Sequence, residues 1–553
     1  MRQNGIVVGI YLLATILTDA FFMGDTIDYA YSAITGIEFW EFGHLLWRPM
    51  GWALFQIFHP VTEKLVGANP RTEITLLFIV VNWLAGLTGV LLLRAFLYRF
   101  IKQTWVINLT TIAFIFSQAF LNYSQSGSSY VPGLTMLILG FYLMTADYPD
   151  YGWQPALGAG VALALAFCFW GIYLWGIPAA LLSPLILFEF NKRTLRFVLI
   201  AAVSCALATA LIYLSVLWHL GITNVEGAKN WVSASSQLMK VTSLSRVAFG
   251  IPRSLINLGN DGILFKRFLL KDPFNPVSVS DLFFHSLWKL LFFYGAIFLV
   301  VITLIRSRTG RRVLALLAIN TLTIGAFAMF VDGSAVERYF PLYPTLFLAI
   351  GFALATEQLK RPVKFFILGF VIFMIAVNYG AMANWQLNAR QDAAAKRLSP
   401  LLKDSSTPPL IFTVNQQDEL VNFSRSFPFH SLNQSANLNV RPLLFINMTQ
   451  VDRWREEFAE GALETWKQNG EAWISMRALQ EQPVSEWNWV EGEDKRIDWR
   501  AIPKFISQFE LGQTAGGDDG FIKLENSTAN QAKLQSFIPS KSEKPEIGLL
   551  PSQ

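Results

Sequence analysis

The sequence predicts a mainly α-helical membrane protein: a polytopic transmembrane helical bundle followed by a small C-terminal α/β domain outside the membrane. Two observations lead to this fold class. Hydrophobic residues make up 53% of the 553 residues and only 15% are charged, a composition that excludes a soluble multidomain protein. Long apolar runs recur up to residue 383, and polar residues dominate from Asn384 onward. The change in composition predicts domains at 1–384 and 385–540, with a disordered tail at 541–553.

The apolar runs predict about 11 membrane spans, at about 20 residues for each crossing. They lie near 5–24, 73–97, 105–123, 129–146, 156–173, 174–190, 197–218, 286–305, 313–331, 341–358 and 363–383. The segment 49–67 is apolar but contains His59-Pro60, so we expect it to lie along the membrane interface.

Lys and Arg residues predict the orientation. They fall on one side of the predicted membrane, as Arg2 and the sets Arg94/Arg99/Lys102, Lys192/Arg193/Arg196, Arg306/Arg308/Arg311/Arg312 and Lys360/Arg361/Lys364. The positive-inside rule makes that side cytoplasmic, and topology explains the net charge of +5 without a nucleic-acid partner. We therefore expect an integral membrane protein, in a bacterial inner membrane, whose remaining loops and C-terminal domain lie on the periplasmic or extracellular side.

The loop after the first span is the best candidate active site. Asp25 and Asp28 follow the apolar residues that end at Met23, and a carboxylate at a membrane boundary is costly unless it is paired or used. Helical spacing puts both on one face, where they could act on one proton, cation or phosphate-bearing lipid. The competing interpretation, that they cap and solvate a helix end, is equally good on sequence alone.

Two other outer segments offer cations for an anionic lipid head. The long loop 219–285 interleaves Arg253, Lys266 and Arg267 with apolar residues, a pattern also typical of a generic interfacial loop. The turn around Glu337 and Arg338 supplies a guanidinium suited to bidentate phosphate contact. Pairing of Arg338 with Glu337 or Asp332 is the structural alternative.

The C-terminal part predicts alternating strands and helices. Segments 408–414, 443–446 and 472–475 are typical of buried strands, and 418–424 and 454–468 of helices. Strand–helix alternation favours a small α/β domain. It contains no glycine-rich phosphate loop, no triad pattern and no metal-ligand spacing, so we assign it no chemistry.

Three outer segments carry a resemblance to a known family. They are Gly24-Asp25-Thr26-Ile27-Asp28-Tyr29-Ala30 with His44 and Arg48-Pro49, then Ser117-Gln118-Ala119 with Ser129-Tyr130-Val131-Pro132, and Glu337-Arg338-Tyr339-Phe340-Pro341. With them, residues 5–383 resemble the GT-C superfamily of polyprenyl-phosphate-sugar-dependent glycosyltransferases, in particular its protein O-mannosyltransferase-like branch. The chain departs from that pattern where many relatives have a second acid before the tyrosine: here Ser128 and Ser129 precede Tyr130.

The resemblance implies a reaction and a set of roles. A sugar would pass from a polyprenyl-phosphate donor in the membrane lipid to a hydroxyl on a glycan, lipid or protein acceptor. Asp25 would be the base, with Asp28 as helper, while His44, Arg48, Tyr130 and Glu337 would bind substrate. Arg338, together with Arg253, Lys266 or Arg267, would neutralise the phosphate. A divalent cation (Mg²⁺ or Mn²⁺) is used by some members of the superfamily but not by all, and two carboxylates alone do not specify one. If this chain uses such a cation, Asp25 and Asp28 would be its ligands.

Two other functions stay open at this point. A non-catalytic membrane protein for envelope polysaccharide transport or assembly could share the helical architecture. The C-terminal α/β domain could also be the binding module, with the membrane part as its anchor. Carboxylates that pair with basic side chains inside a closed bundle would favour the non-catalytic protein, whereas carboxylates that face outward beside Arg338 would favour the enzyme.

Overall fold

The structure is a computed structural model. It describes residues 2–20, 25–66, 70–146, 152–188, 190–235, 244–258, 264, 268, 276–331, 333, 335–356, 361–383, 397–398, 400–401, 409–413, 439–442, 454–480, 501–518 and 520–538. Contacts divide the chain into two units, Met1–Lys271 with Val277–Asn384, and Asp272–Pro276 with Trp385–Gln553.

The first unit is helical. Its α-helices, α1 to α17 in chain order, are Arg2–Leu17, Thr26–Thr35, Trp47–Val66, Pro70–Tyr98, Thr104–Ile115, Gln118–Tyr123, Tyr130–Met144, Trp153–Phe169, Ile177–Leu187, Lys192–His219, Val225–Ser235, Leu244–Leu255, Val279–Leu282, Trp288–Ile305, Arg308–Phe330, Tyr343–Ala355 and Arg361–Met382. Short 3₁₀-helices cover Phe42–His44, Gly171–Trp175 and Val336–Leu342, and a π-helix covers Phe283–Leu287.

Six helical segments of the described chain are long and apolar enough to cross a membrane. They are Pro70–Tyr98, Lys192–His219, Trp288–Ile305, Arg308–Phe330, Val336–Ala355 and Arg361–Met382. Five shorter apolar helices are Asn4–Leu17, Thr104–Ile115, Tyr130–Met144, Trp153–Phe169 and Gly171–Leu187. The chain is therefore an integral membrane protein, and the number of 11 crossings stays a prediction because the shorter helices fall below the length of a full span.

Close helix packing holds the bundle together. Helix α7 packs against α4 and α8, and α8 packs against α10. At Gly160 on α8 an added Cβ would lie 2.5 Å from the carbonyl oxygen of Ala201, so only glycine permits this approach. Buried Asn378 on α17 donates to the carbonyls of Phe116 and Leu255, at 2.6 Å each, and so ties three segments together.

The C-terminal ends of the first and last apolar helices are joined. Thr18 pairs with Ala383 in an isolated antiparallel bridge, and the amide of Asp19 donates to the carbonyl of Met382 at 3.0 Å. The loop that carries Asp25 follows directly, so its start is anchored to α17.

The second unit contains a five-stranded sheet. The strands β1 to β5 are Leu410–Thr413, Asn439–Pro442, Ala472–Ser475, Leu511–Ala515 and Phe521–Leu524, in the order β2-β1-β3-β5-β4. Strand β1 is parallel to β2 and β3, and β5 is antiparallel to β3 and β4. Helices α18 to α21 are Trp454–Lys467, Arg477–Gln480, Ala501–Ile506 and Thr528–Gln535.

Strand positions in this unit differ in part from the sequence-based prediction. Strands β1 and β3 coincide with the predicted segments 408–414 and 472–475, whereas β2 lies before 443–446, a segment outside the described residues like the predicted helix 418–424. The hairpin β4–β5 was not predicted. Its glycines, Gly516 and Gly517, have positive φ angles of 82° and 81° and form the turn between the two strands.

Candidate active site

Asp25 and Asp28 begin helix α2. Asp25 is the residue before the first helical position and Asp28 lies in the first turn, where the helix dipole favours negative charge. Both residues are exposed. Gly36 ends the helix with a φ of +76°, a left-handed conformation that glycine adopts without strain. Asp25 stands at the N-cap, outside the helix, and makes no capping hydrogen bond. That the two carboxylates share one face and act together stays a prediction.

The carboxylate of Asp25 accepts two phenol hydrogen bonds. The hydroxyl of Tyr29, one turn along α2, donates to Oδ2 of Asp25 at 3.2 Å. The hydroxyl of Tyr130, at the start of α7, donates to the same oxygen at 3.3 Å. The carboxylate is thus oriented by neutral donors from two outer segments, the first loop and the second turn.

His44 joins the same two segments. Its Nε2 lies 3.2 Å from the hydroxyl of Tyr29, and its Nδ1 lies 2.7 Å from Oγ of Ser129. Burial lowers the pKa of His44, and the positive charges of Arg48 and Arg338 add to this effect, so that the pKa is about 3. His44 is therefore a neutral imidazole at physiological pH, with both ring nitrogens in contact with hydroxyls.

Trp170 connects this group to the late turn. Its indole is 4.2 Å from the ring of Tyr130, centroid to centroid, and is nearly parallel to the imidazole of His44 at 6.4 Å. The guanidinium of Arg338 lies over the same indole, 5.6 Å from the ring centroid. One buried aromatic ring thus separates the Asp25 side of the site from the cation at Arg338.

Tyr123 links Glu337 to Tyr130. The hydroxyl of Tyr123 donates to Oε2 of Glu337 at 3.1 Å, and the rings of Tyr123 and Tyr130 meet edge to face at 4.9 Å. Nε of Arg338 lies 4.0 Å from Oε1 of Glu337. The three outer segments that were singled out in the sequence therefore meet at one place.

Asp28 has different surroundings from Asp25. Partial removal from water raises the pKa of Asp28 and the charge of Asp25 raises it further, while the cations Arg71 and Arg48 oppose this shift. Arg71 also lies over the ring of Tyr31, with its guanidinium 5.6 Å from the ring centroid. Asp28 thus faces cations, whereas Asp25 is held by phenols.

Arg48 is engaged within the first loop. Its side chain is 5% exposed, and its guanidinium pairs with Glu41 and lies 3.7 Å from the carboxylate of Glu38. It also covers the ring of Tyr29 at 5.1 Å. These contacts bind the start of α3 to the loop before it, and the predicted role of Arg48 in substrate binding stays a prediction.

The predicted cations of the long loop are only partly described. Arg253 lies on α12, which packs against the turn that carries Arg338. On that helix Gly250 faces Tyr339 so closely that an added Cβ would lie 2.4 Å from its ring. Lys266 and Arg267 lie outside the described residues.

Tyr29, Tyr123, Ser129 and Trp170 were not predicted as site residues. Tyr29 could have been found, because it follows Asp25 by one helical turn. Trp170 and Tyr123 carry no such signal, since aromatic residues inside apolar runs usually belong to the core.

Whether a divalent cation fits at Asp25 depends on the metal-ligating side chains around it. Among the described residues, no group of three or more His, Cys, Asp or Glu side chains is arranged to hold a metal ion. Oδ2 of Asp25 already accepts two hydrogen bonds. We therefore derive no step through a metal, and the Mg²⁺ or Mn²⁺ site at Asp25 and Asp28 stays a prediction.

Comparisons with known proteins give structural but not sequence relatives. No protein-family model matches the chain, and no curated protein matches it. ArnT from Cupriavidus metallidurans is similar in its apo state, with a TM-score of 0.53 and 10% identity over 98% of both chains. The same protein bound to undecaprenyl phosphate gives a TM-score of 0.52 at 10% identity, over 98% of this chain and 99% of ArnT.

A further similar structure is the Archaeoglobus fulgidus oligosaccharyltransferase in its apo form, with a TM-score of 0.47 and 13% identity over 95% of this chain and 74% of that one. At 10% identity, the ArnT likeness shows the fold alone, over nearly the whole chain. Membership of the GT-C superfamily, and of its O-mannosyltransferase-like branch, stays a prediction.

Proposed function

We propose that this protein is an integral-membrane glycosyltransferase that moves a sugar from a polyprenyl-phosphate donor to an acceptor hydroxyl on the non-cytoplasmic face of the membrane. The observation that carries the proposal is a set of contacts that links Asp25 to Arg338. Tyr130 donates to Asp25, the ring of Tyr130 packs against Trp170, and the guanidinium of Arg338 lies over Trp170. A carboxylate and a guanidinium so arranged match the two charges that the reaction needs. The acceptor is a hydroxyl of a glycan, a lipid or a protein.

The chemistry assigns one role to each charged group. Asp25 takes the proton of the acceptor hydroxyl as its oxygen forms a bond to the anomeric carbon of the sugar. The bond from that carbon to the phosphate oxygen breaks, and the polyprenyl phosphate leaves with the bonding electrons. Arg338 stabilises the negative charge on the departing phosphate, because a guanidinium stays charged in a partly dry site.

Two further observations support this assignment. The described partners of Asp25 are phenols rather than cations, which favours the enzyme, whereas the cations Arg71 and Arg48 near Asp28 are what the non-catalytic alternative expects. ArnT, which shares the fold, has been solved with undecaprenyl phosphate, a lipid of the proposed donor's class.

The test is release of polyprenyl phosphate. Purified protein in lipid nanodiscs is incubated with a panel of polyprenyl-phosphate sugars and a mixed panel of hydroxyl acceptors. We expect the wild type to release lipid phosphate, and Asp25→Asn to be slower by about 100-fold or more. Asp281→Asn is the matched control, because Asp281 is exposed and belongs to the capping box that Ser278 forms at the start of the helix Val279–Leu282. Equal turnover by wild type and Asp25→Asn would remove Asp25 as the base.

A further inference from the structure

Four side chains form a continuous hydrogen-bonded path, and the last of them is the proposed base, Asp25. Ser129 Oγ is 2.7 Å from Nδ1 of His44, Nε2 of His44 is 3.2 Å from the hydroxyl of Tyr29, and that hydroxyl is 3.2 Å from Oδ2 of Asp25. Ser129 lies 85 residues beyond His44 in the sequence, so the path joins two separate outer segments.

The donors along this path have a fixed order when Asp25 is ionised. A carboxylate only accepts hydrogen bonds, so Tyr29 must give its single proton to Asp25. Nε2 of His44 then has to donate to the Tyr29 oxygen, and a neutral imidazole that is protonated at Nε2 has an unprotonated Nδ1. The hydroxyl of Ser129 is the donor that satisfies Nδ1.

We propose that His44 is a positioning residue for Asp25 rather than a substrate ligand, and that Ser129 sets its tautomer. With Nε2 protonated, His44 keeps the proton of Tyr29 directed at Oδ2 of Asp25, as carboxylates and carbonyls fix the tautomer of histidines elsewhere. This inference rests on the proposed function, since Asp25 needs orientation only as the base. It also gives a use to the serine that stands where many relatives have a second acid.

Tyr29 and Tyr130 both donate to the same oxygen of Asp25, Oδ2, and these are its two described hydrogen bonds. They orient the carboxylate and leave Oδ1 as the oxygen we assign to the acceptor's proton. If Nε2 of His44 lost its proton, it would compete for the hydroxyl of Tyr29 and Asp25 would lose one donor. The backbone of Phe169 also contacts His44, and the tautomer decides which ring nitrogen carries the proton. The tautomer is therefore the quantity to measure.

Kinetics separate positioning from substrate binding. We expect Ser129→Ala to lower kcat about tenfold, the effect of one lost hydrogen bond, with KM for the donor unchanged. Ser129→Thr keeps the hydroxyl and should restore kcat. His44→Gln keeps a side-chain N–H near the position of Nε2 and should retain more activity than His44→Ala. Ser215→Ala is the matched control, because Ser215 is exposed on α10 and bonds only its own helix in the described contacts.

A double-variant cycle tests whether Ser129 acts through His44. In the His44→Ala background, Ser129→Ala should cause no further loss. An additional tenfold loss there, or a change confined to KM, would overturn the proposal. The midpoint of thermal unfolding is recorded for each variant, and Ser129→Thr keeps the comparison valid if Ser129→Ala is poorly folded.

Nitrogen-15 NMR of labelled histidine reads the tautomer directly and needs no turnover. The chain has five histidines, and the signals lost in His44→Gln identify those of His44. We expect a protonated Nε2 and an unprotonated Nδ1 in the wild type, and a mixture of tautomers in Ser129→Ala. A protonated Nδ1 in the wild type would overturn the proposal. A wild type that releases no polyprenyl phosphate would instead contradict the proposed function and leave the tautomer result standing.

Discussion

The hydroxyl of Thr26 accepts a hydrogen bond from the amide of Gly127 at 3.0 Å, although the two residues are 101 positions apart. The carbonyl of the same glycine accepts from Nε1 of Trp47 at 2.9 Å. An added Cβ on Gly127 would lie 2.3 Å from Cγ2 of Thr26 and 2.8 Å from Cβ of Phe78. The first loop and the second turn are therefore held together at a point where the absence of a side chain is required.

Gly127→Ala should separate these two segments. We expect a loss of about 1–3 kcal/mol in the free energy of unfolding, typical of overpacking a tight interior. Transferase activity should fall as well, because Asp25 immediately precedes Thr26 and Ser129 lies two residues after Gly127. Gly380→Ala is the matched control: nothing lies within 4 Å of its added Cβ, and alanine favours a helix over glycine by about 1 kcal/mol. Equal stability of the two variants would contradict the packing argument.

Arg48→Met should destabilise the protein by about 2–4 kcal/mol in chemical denaturation, because it leaves the half-buried carboxylate of Glu41 without its partner. Glu41→Gln should have a similar effect. The double variant should lose less than the sum of the single variants, since the two side chains share one interaction. Additive losses would show that Arg48 acts through other contacts.

Stability should depend on pH through His59. Its hydrogen bond to Glu73, 2.8 Å from Nδ1 to Oε2, raises the pKa of His59 above its ordinary value. The protonated pair therefore stabilises the folded state fully below about pH 6.5, and this contribution is lost as the pH rises through the higher folded pKa. The midpoint of thermal unfolding should fall over that window in the wild type. The fall should be smaller in His59→Asn and in Glu73→Gln, and an unchanged slope in both would refute the assignment.

Arg338→Lys should lower kcat/KM for the lipid donor about tenfold and Arg338→Gln more strongly, because lysine keeps the charge but not the planar fork that matches a phosphate. Release of polyprenyl phosphate under limiting donor is the measurement. Arg311→Gln is the control, since Arg311 is exposed near the start of the helix Arg308–Phe330 and Arg338 follows the other end. Identical kinetics of Arg338→Gln and wild type would remove Arg338 from the site.

The sequence located the site through its charges and the ends of its apolar runs. Asp25, Glu337 and Arg338 could be predicted to lie on one membrane face because each follows or precedes an apolar run, and the structure brings them together. The pairing of Arg48 with Glu41 could not be predicted, since nothing in the sequence distinguishes a buried guanidinium from one that awaits a phosphate. Trp170 was missed because its role depends on tertiary packing alone.

The bridge between Thr18 and Ala383 has a consequence for biosynthesis. A ribosome synthesises the segment that carries Asp25 long before it reaches residue 383. Until residue 383 has been made, the end of the first helix has no partner for this bridge. The end of the first helix therefore gains this partner only when the last apolar helix has been inserted. A chain cut anywhere within this unit should yield fragments without activity until both are present in one bilayer.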